Sequence, residues 1–266
     1  MNKVILVITV LFFILGCGED EGKIRILITD APPAQNVKNI YITILGVAIR
    51  NMEGEIINLQ DDFYTVDIVR LAGGKSTSLT YNYETGGSFL NIKTGDYQSI
   101  LLALAQTNSV TIDSITDSLL IPNEYIPFTF ELEKDITIFS GEYTTLVVDF
   151  DASKSINWES DPYELNPSFK LFNYSEAGFI QGTVKTLEDT LEVPLKFAAL
   201  KATNSTDTMT TLTDSTGIYY LFLPEGTYNI SAHVENFIAD TIYEGVTIIS
   251  DSVQMEYDFI LTERFF

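Results

Sequence analysis

Apolar residues recur at every second position through most of this chain. Lys23-Ile24-Arg25-Ile26-Leu27-Ile28-Thr29 puts Ile24, Ile26 and Ile28 on one face, which is the spacing of a strand buried on one side. Asn39 to Arg50 repeats the pattern with Ile40, Ile42 and Ile44. Similar runs occupy Tyr97 to Ala105, Ile136 to Phe139, Tyr143 to Phe150 and Phe169 to Tyr174. Clusters of Gly, Asn, Asp and Pro separate them, as turns require. Helical periodicity is confined to expected short turns, for example near Val66 to Leu71. Many strands joined by short turns predict an all-β chain built from β-sandwiches.

A Gly-x-Tyr tripeptide recurs at Gly95-Asp96-Tyr97, Gly141-Glu142-Tyr143, Gly217-Ile218-Tyr219 and Gly226-Thr227-Tyr228. Each opens an alternating run. Glycine supplies the turn, and the tyrosine is expected to start the strand with its ring at the sandwich edge. A boundary is expected between Ser175 and Gly178. Two domains follow from it, at 23–175 and 178–266. About seven short strands fit the second, an immunoglobulin-like or transthyretin-like count.

The first residues set the expected location. Met1-Asn2-Lys3 precedes an apolar run from Val4 to Leu15, too short to span a bilayer and proportioned like a secretory signal. Ile14-Leu15-Gly16-Cys17 ends it, and Cys17 is the sole cysteine. This reads as a lipobox: residues 1–16 form a cleaved signal peptide, and Cys17 is acylated. Residues 17–22 are then an acidic tether containing Glu19, Asp20 and Glu21. A lone cysteine excludes an intramolecular disulfide and a cysteine-based metal site. The net charge of −22 disfavours nucleic acid and anionic headgroups as partners.

Two resemblances overlie this reading. Thr183, Val184 and Gly182, with Thr213-Asp214, Gly217, Tyr219 and Pro224-Glu225-Gly226-Thr227-Tyr228, resemble the carboxypeptidase-regulatory-like β-sandwich. That resemblance implies a non-catalytic module. Ile28-Thr29-Asp30-Ala31-Pro32, Gly95 to Ile100, Val148-Asp149-Phe150-Asp151-Ala152-Ser153-Lys154-Ser155-Ile156 and Leu165-Asn166-Pro167 resemble a domain-of-unknown-function family of bacterial lipoproteins. It implies a secreted β domain and no known activity. The acidic cluster after Cys17 resembles the surface-export signal of Bacteroidota lipoproteins.

Few residues offer chemistry. His233 is the only histidine, and with no partner cysteine or histidine it reads as an ordinary strand residue. Asp149 and Asp151 share a strand face about 7 Å apart. With Asp30 they form a candidate Ca²⁺ site. The competing reading has Asp30 capping a turn while Asp149 and Asp151 pair with Lys154 or backbone amides. Trp158, the sole tryptophan, lies in the polar loop Asn157 to Asp161 and is a candidate ligand contact. Tyr81, Tyr83 and Tyr125 are further rings able to stack on sugars. Seven Asp-Ser/Thr sites precede an aliphatic residue or threonine. They resemble Bacteroidota O-glycan acceptors, with Ser114, Ser118, Thr190 and Thr208 as candidates, and they also suit plain turn chemistry.

The expectation is a non-enzymatic, lipid-anchored outer-membrane protein, displayed at the bacterial surface, that binds or scaffolds there. Its partners would be the membrane, through lipid, and an envelope protein or glycan, with no cofactor beyond the candidate Ca²⁺. Two alternatives remain open: an accessory subunit of an outer-membrane transporter or surface complex, and a carbohydrate-active enzyme.

Overall fold

The computed structural model describes residues 20–31, 37–71, 74–206, 208–239, 242–250 and 255–264. Cys17 and the signal segment lie outside them. The chain is all-β. Helical structure among the described residues is limited to four-residue and three-residue turns, at Ile68–Leu71, Asn123–Tyr125, Ala152–Ser155 and Tyr174–Glu176.

The first half is a sandwich. Its main strands are β1 (Glu21–Ala31), β2 (Val37–Asn51), β3 (Gly95–Leu104), β4 (Thr107–Ile112), β5 (Ile115–Leu120), β6 (Thr129–Ile138), β7 (Tyr143–Asp151) and β8 (Phe169–Asn173). One sheet runs β8-β7-β1, with Thr77–Ser78 and Leu90–Lys93 on the far side of β1. Strands β1 and β7 pair in parallel from Lys23↔Tyr143 to Ala31↔Asp151. The other sheet starts β6-β3-β2-β4-β5. Strand β2 is long enough to pair in succession with Tyr64–Asp67 and Ile56–Gln60 along one edge.

Period-two alternation decides what fills the space between these sheets. Ile24, Ile26 and Ile28 of β1 and Leu146, Val148 and Phe150 of β7 are buried against Ile40, Ile42 and Ile44 of β2 and Ile100 and Leu102 of β3. Strand β6 is longer than its Ile136 to Phe139 tail suggested. Phe130 and Leu132 point inward while Thr129, Glu131 and Glu133 stay exposed, and the register shifts between Glu133 and Ile136. The inward positions 130, 132, 136 and 138 keep one period-two phase through the bulge, and Lys134 is the polar residue that interrupts the apolar series.

The second half is organised around β9 (Ala177–Glu188). This strand pairs with Leu191–Pro194, Met255–Glu256, β12 (Ile218–Pro224) and β15 (Phe259–Glu263). Facing it is a sheet of β11 (Thr208–Leu212), β10 (Ala199–Thr203), β13 (Gly226–His233) and β14 (Ile242–Ile248). No strand pair among the described residues links the halves. The second core nonetheless includes Val147 and Phe172 of the first half, with Leu27 packed against it. The outer face of the β8-β7-β1 sheet is therefore covered by the second half around Leu27, Val147 and Phe172, while Tyr143 at the start of β7 stays exposed.

All four Gly-x-Tyr glycines have positive φ, from 74° at Gly141 to 156° at Gly226. The tyrosines depart from the expected edge position. Tyr97, Tyr219 and Tyr228 are buried in the cores, and only Tyr143 is exposed. Their hydroxyls donate to backbone carbonyls: Tyr97 to Lys93 at 2.7 Å, Tyr228 to Pro224 at 3.0 Å and Tyr219 to Tyr257 at 2.8 Å. For Tyr97 and Tyr228 a turn carbonyl four residues back, and for Tyr219 a carbonyl distant in the chain, lets the ring be buried without stranding its polar atom. Tyr97→Phe should therefore cost about 1–2 kcal/mol, read as a lower urea midpoint. An unchanged midpoint would mean that the Lys93 carbonyl needs no donor from this ring.

Candidate functional site

Asp149 and Asp151 lie on the face of β7 opposite Leu146, Val148 and Phe150. Both are buried. Asp151 caps the helical turn that follows. Its carboxylate accepts from the Ser153 hydroxyl at 2.6 Å and the Lys154 amide at 3.2 Å, and it pairs with the Lys154 ammonium. Asp149 stands opposite Lys170 of β8 and Thr29 of β1 in register. Burial pushes its carboxyl up to about 7; Asp151 adds to the rise, while Lys170 and Lys154 oppose it. Asp30 opposes Phe150, and its side chain lies outside the described residues. Among the described residues, no group of three or more His, Cys, Asp or Glu side chains is placed to hold a metal ion.

The polar floor of this face connects the halves. Lys170 Nζ donates to the Thr208 carbonyl at 3.0 Å. Asp149 thus sits where the second half seals the first sheet. Its chemistry is that of an interface carboxyl with restricted water.

The aromatic candidates are spread over the surface. Trp158 is half-buried against the first core and meets Tyr163 edge-to-face at 5.7 Å, so its polar loop exposes less of it than the sequence suggested. Tyr81 and Tyr83 are exposed and meet edge-to-face at 4.9 Å. Tyr83 donates to the Asp62 carboxylate, which raises the phenol's pKa. Tyr125 is exposed, 5.8 Å from Phe130. His233 is exposed on β13. Ser114, Ser118 and Thr190 are exposed, whereas Thr208 is half-buried. Asp113 and Asp189, preceding two of them, have φ of 54° and 55°, the left-handed conformation that Asp tolerates in turns.

One concave feature escaped the residue patterns. Strand β6 ends one sheet of the first sandwich and β8 ends the other. Between these two edges runs an open groove of about 530 Å³, lined by Phe130, Leu132, Pro167, Phe169 and Leu171 with Thr129, Glu131 and Glu133 at the rim. Phe130 and Phe169 stand 6.0 Å apart across it. Glu131 is held by Arg50 through two bonds, of 2.8 and 3.2 Å, and by the Ser99 hydroxyl. The Ser99 bond first, then Arg50, lowers its pKa. The alternation of Phe130-Glu131-Leu132-Glu133 was the available signal; the approach of the β8 edge, distant in the chain, was not.

No curated protein matches this chain. Among solved structures, the Bacillus anthracis TIE protein aligns at a TM-score of 0.25 and 12% identity, covering 92% of this chain and 34% of that one. The chain thus spans about a third of that protein's length. GBS52, the minor pilin of Streptococcus agalactiae, aligns at 0.26 and 9% identity, covering 90% and 97%. The shaft pilin spaA of Lactobacillus rhamnosus GG aligns at 0.25 and 8% identity, covering 92% and 99%. Scores this low carry nothing about function. A family model described as Domain of unknown function (DUF4382) matches residues 21–167. That match spans more than half of the chain, and it covers every strand of the first sandwich except β8; the protein belongs to the DUF4382 family.

Proposed function

We propose that this chain is a non-enzymatic, lipid-anchored protein of the bacterial envelope that binds or scaffolds other molecules at the cell surface. The observation that carries the reading is the lipobox Ile14-Leu15-Gly16-Cys17 standing four residues before the start of β1 at Glu21. Four residues reach at most about 14 Å. An acylated Cys17 would hold the Glu21 end of the first sandwich close to the bilayer. More than one acyl chain is needed for stable residence. The net charge of −22 suits a surface that stays soluble and repels anionic headgroups beyond that tether.

The second half, residues 178–266, is read as a non-catalytic carboxypeptidase-regulatory-like, transthyretin-like module. Its support is two close approaches at these residues: Gly182 lies against the Tyr257 backbone, whose carbonyl accepts the Tyr219 hydroxyl, and Gly217 lies against Val184 and Pro194. A second reading, an accessory subunit of a transporter or surface complex, is favoured by the open groove between β6 and β8.

The test is cell fractionation with protease shaving of intact native-host cells. The wild type is expected in the outer-membrane fraction and to be lost on shaving. Cys17→Ser is expected to leave the membrane fraction. Full protection of the wild type would overturn surface display, and membrane retention of Cys17→Ser would overturn lipid anchoring.

A further inference from the structure

The edge of β6 combines three properties. It pairs only with β3 among the described strands, so alternate backbone N–H and C=O groups along it face outward with no strand to receive them. Beside it the groove leaves Phe130, Pro167, Phe169 and Leu171 half-exposed above the buried Leu132. Its exposed side chains over the same stretch are Thr129, Glu131 and Glu133.

Edge strands are commonly protected by charges and bulges, and the far end of β6 follows that pattern. The register shift falls between Glu133 and Ile136, and Lys134 is tied to Glu176. Protection stops there. From Thr129 to Glu133 the strand is regularly paired with Ala103 to Ser99, and the groove beside it is open.

A strand added to β6 would place alternate side chains over the groove and the others beside Thr129, Glu131 and Glu133; Glu131 already meets Arg50, so Glu133 supplies the charge facing the added strand. Cross-strand neighbours prefer opposite charge. We propose that the groove between β6 and β8 binds an extended segment of a partner protein by strand addition to β6, the segment alternating apolar residues with lysine or arginine. Backbone bonds supply affinity in such recognition, and the alternate side chains supply register. The proposal rests on the binding reading above and gives it a site and a partner chemistry. In the tethered orientation Ile138, opposite Gly95, lies toward the bilayer end, since Glu21 opposes Lys93 two residues before that glycine. Thr129 and the open half of β6 then lie toward the distal end, within a partner's reach.

The probe is an acetylated, amidated peptide alternating lysine and valine, titrated into the full chain in neutral detergent. Fluorescence anisotropy reads binding, and hydrogen exchange reads its location. Binding is expected to slow exchange at 129–133. Glu133→Lys is expected to weaken it about tenfold, and raised salt should weaken it too. Glu133 is exposed, so this variant should keep its fold, with circular dichroism as the check; Glu133→Gln should give a smaller loss. N-methylation of alternate peptide amides should abolish binding. Equal binding of a glutamate–valine peptide, indifference to Glu133→Lys, or protection away from 129–133 would each overturn the proposal. Self-association that protects 129–133 without peptide would also overturn it, because the occupant would then be a second copy. A chain that fractionates with the envelope but ignores the probe loses this inference alone; one that binds the probe but stays soluble loses the anchoring reading alone.

Discussion

Gly182→Ala is expected to destabilise the second sandwich by about 3 kcal/mol or more, among the larger effects of single substitutions. A β-carbon at Gly182 would lie 1.9 Å from the Tyr257 carbonyl oxygen and 2.9 Å from the Tyr219 ring. Backbone and a buried ring stand on both sides, so no flexible side chain can yield. The same carbonyl accepts the Tyr219 hydroxyl at 2.8 Å, and the Tyr257 amide donates to Gln181 at 2.8 Å. Pushing that segment away breaks both bonds and disturbs the parallel pairing of β9 with Met255–Glu256 and Phe259–Glu263. Strand β9 is the hub of its sheet, so the damage is not local. Gly54→Ala is the control. Gly54 has a φ of 87° but open space around it, so only conformational strain of about 1–2 kcal/mol applies. Urea unfolding checks both. A Gly182→Ala midpoint no lower than that of Gly54→Ala would show that the close approach costs nothing.

The cores were readable because period two carries their information directly. Ile24, Ile26, Ile28, Ile40, Ile42 and Ile44 are all buried as their spacing requires. The four Gly-x-Tyr turns were readable for the same kind of local reason, a glycine where φ is positive. The fate of their tyrosines was not, because burial depends on a carbonyl that only the fold presents, four residues back for Tyr97 and Tyr228 and on a distant segment for Tyr219. The helical turn Ala152–Ser155, capped by Asp151, leaves no periodic signal because four residues make little more than one turn. Asp149 and Asp151 were placed on one face by alternation alone. That the second half covers that face is a docking fact, and nothing in residues 149–151 encodes it. The β6 groove was invisible for a related reason: its walls are two edge strands joined only by the closing of two sheets. Local order was legible; features made by one sheet meeting another were not.

Asp149 makes the stability of this protein fall as pH rises from about 5 to about 8. In the folded chain the carboxyl holds its proton up to about 7, whereas in the unfolded chain it ionises near 4. Between these values the folded state binds the extra proton, so stability is lost as pH rises through the window and is recovered on acidification. The cause is desolvation under the second half, with Asp151 adding to it and Lys170 and Lys154 offsetting part. Two units of that window amount to about 2–3 kcal/mol. Carboxyls held low act in the opposite sense at more acid pH, such as Glu131 under Ser99 and Arg50 and Glu225 under the Ser250 amide. They leave the range above about 5 to Asp149. Asp149→Asn keeps the shape and removes the ionisation. It is expected to flatten the profile, matching the wild type near pH 5 and exceeding it by about 2 kcal/mol near pH 8. Urea midpoints across that range read both, and the wild-type minus variant difference cancels charge effects common to the two chains. A variant less stable than the wild type near pH 8 would mean that Lys170 and Lys154 stabilise the carboxylate more than burial penalises it. The interface between the halves would then be held by an ion pair that alkaline conditions preserve.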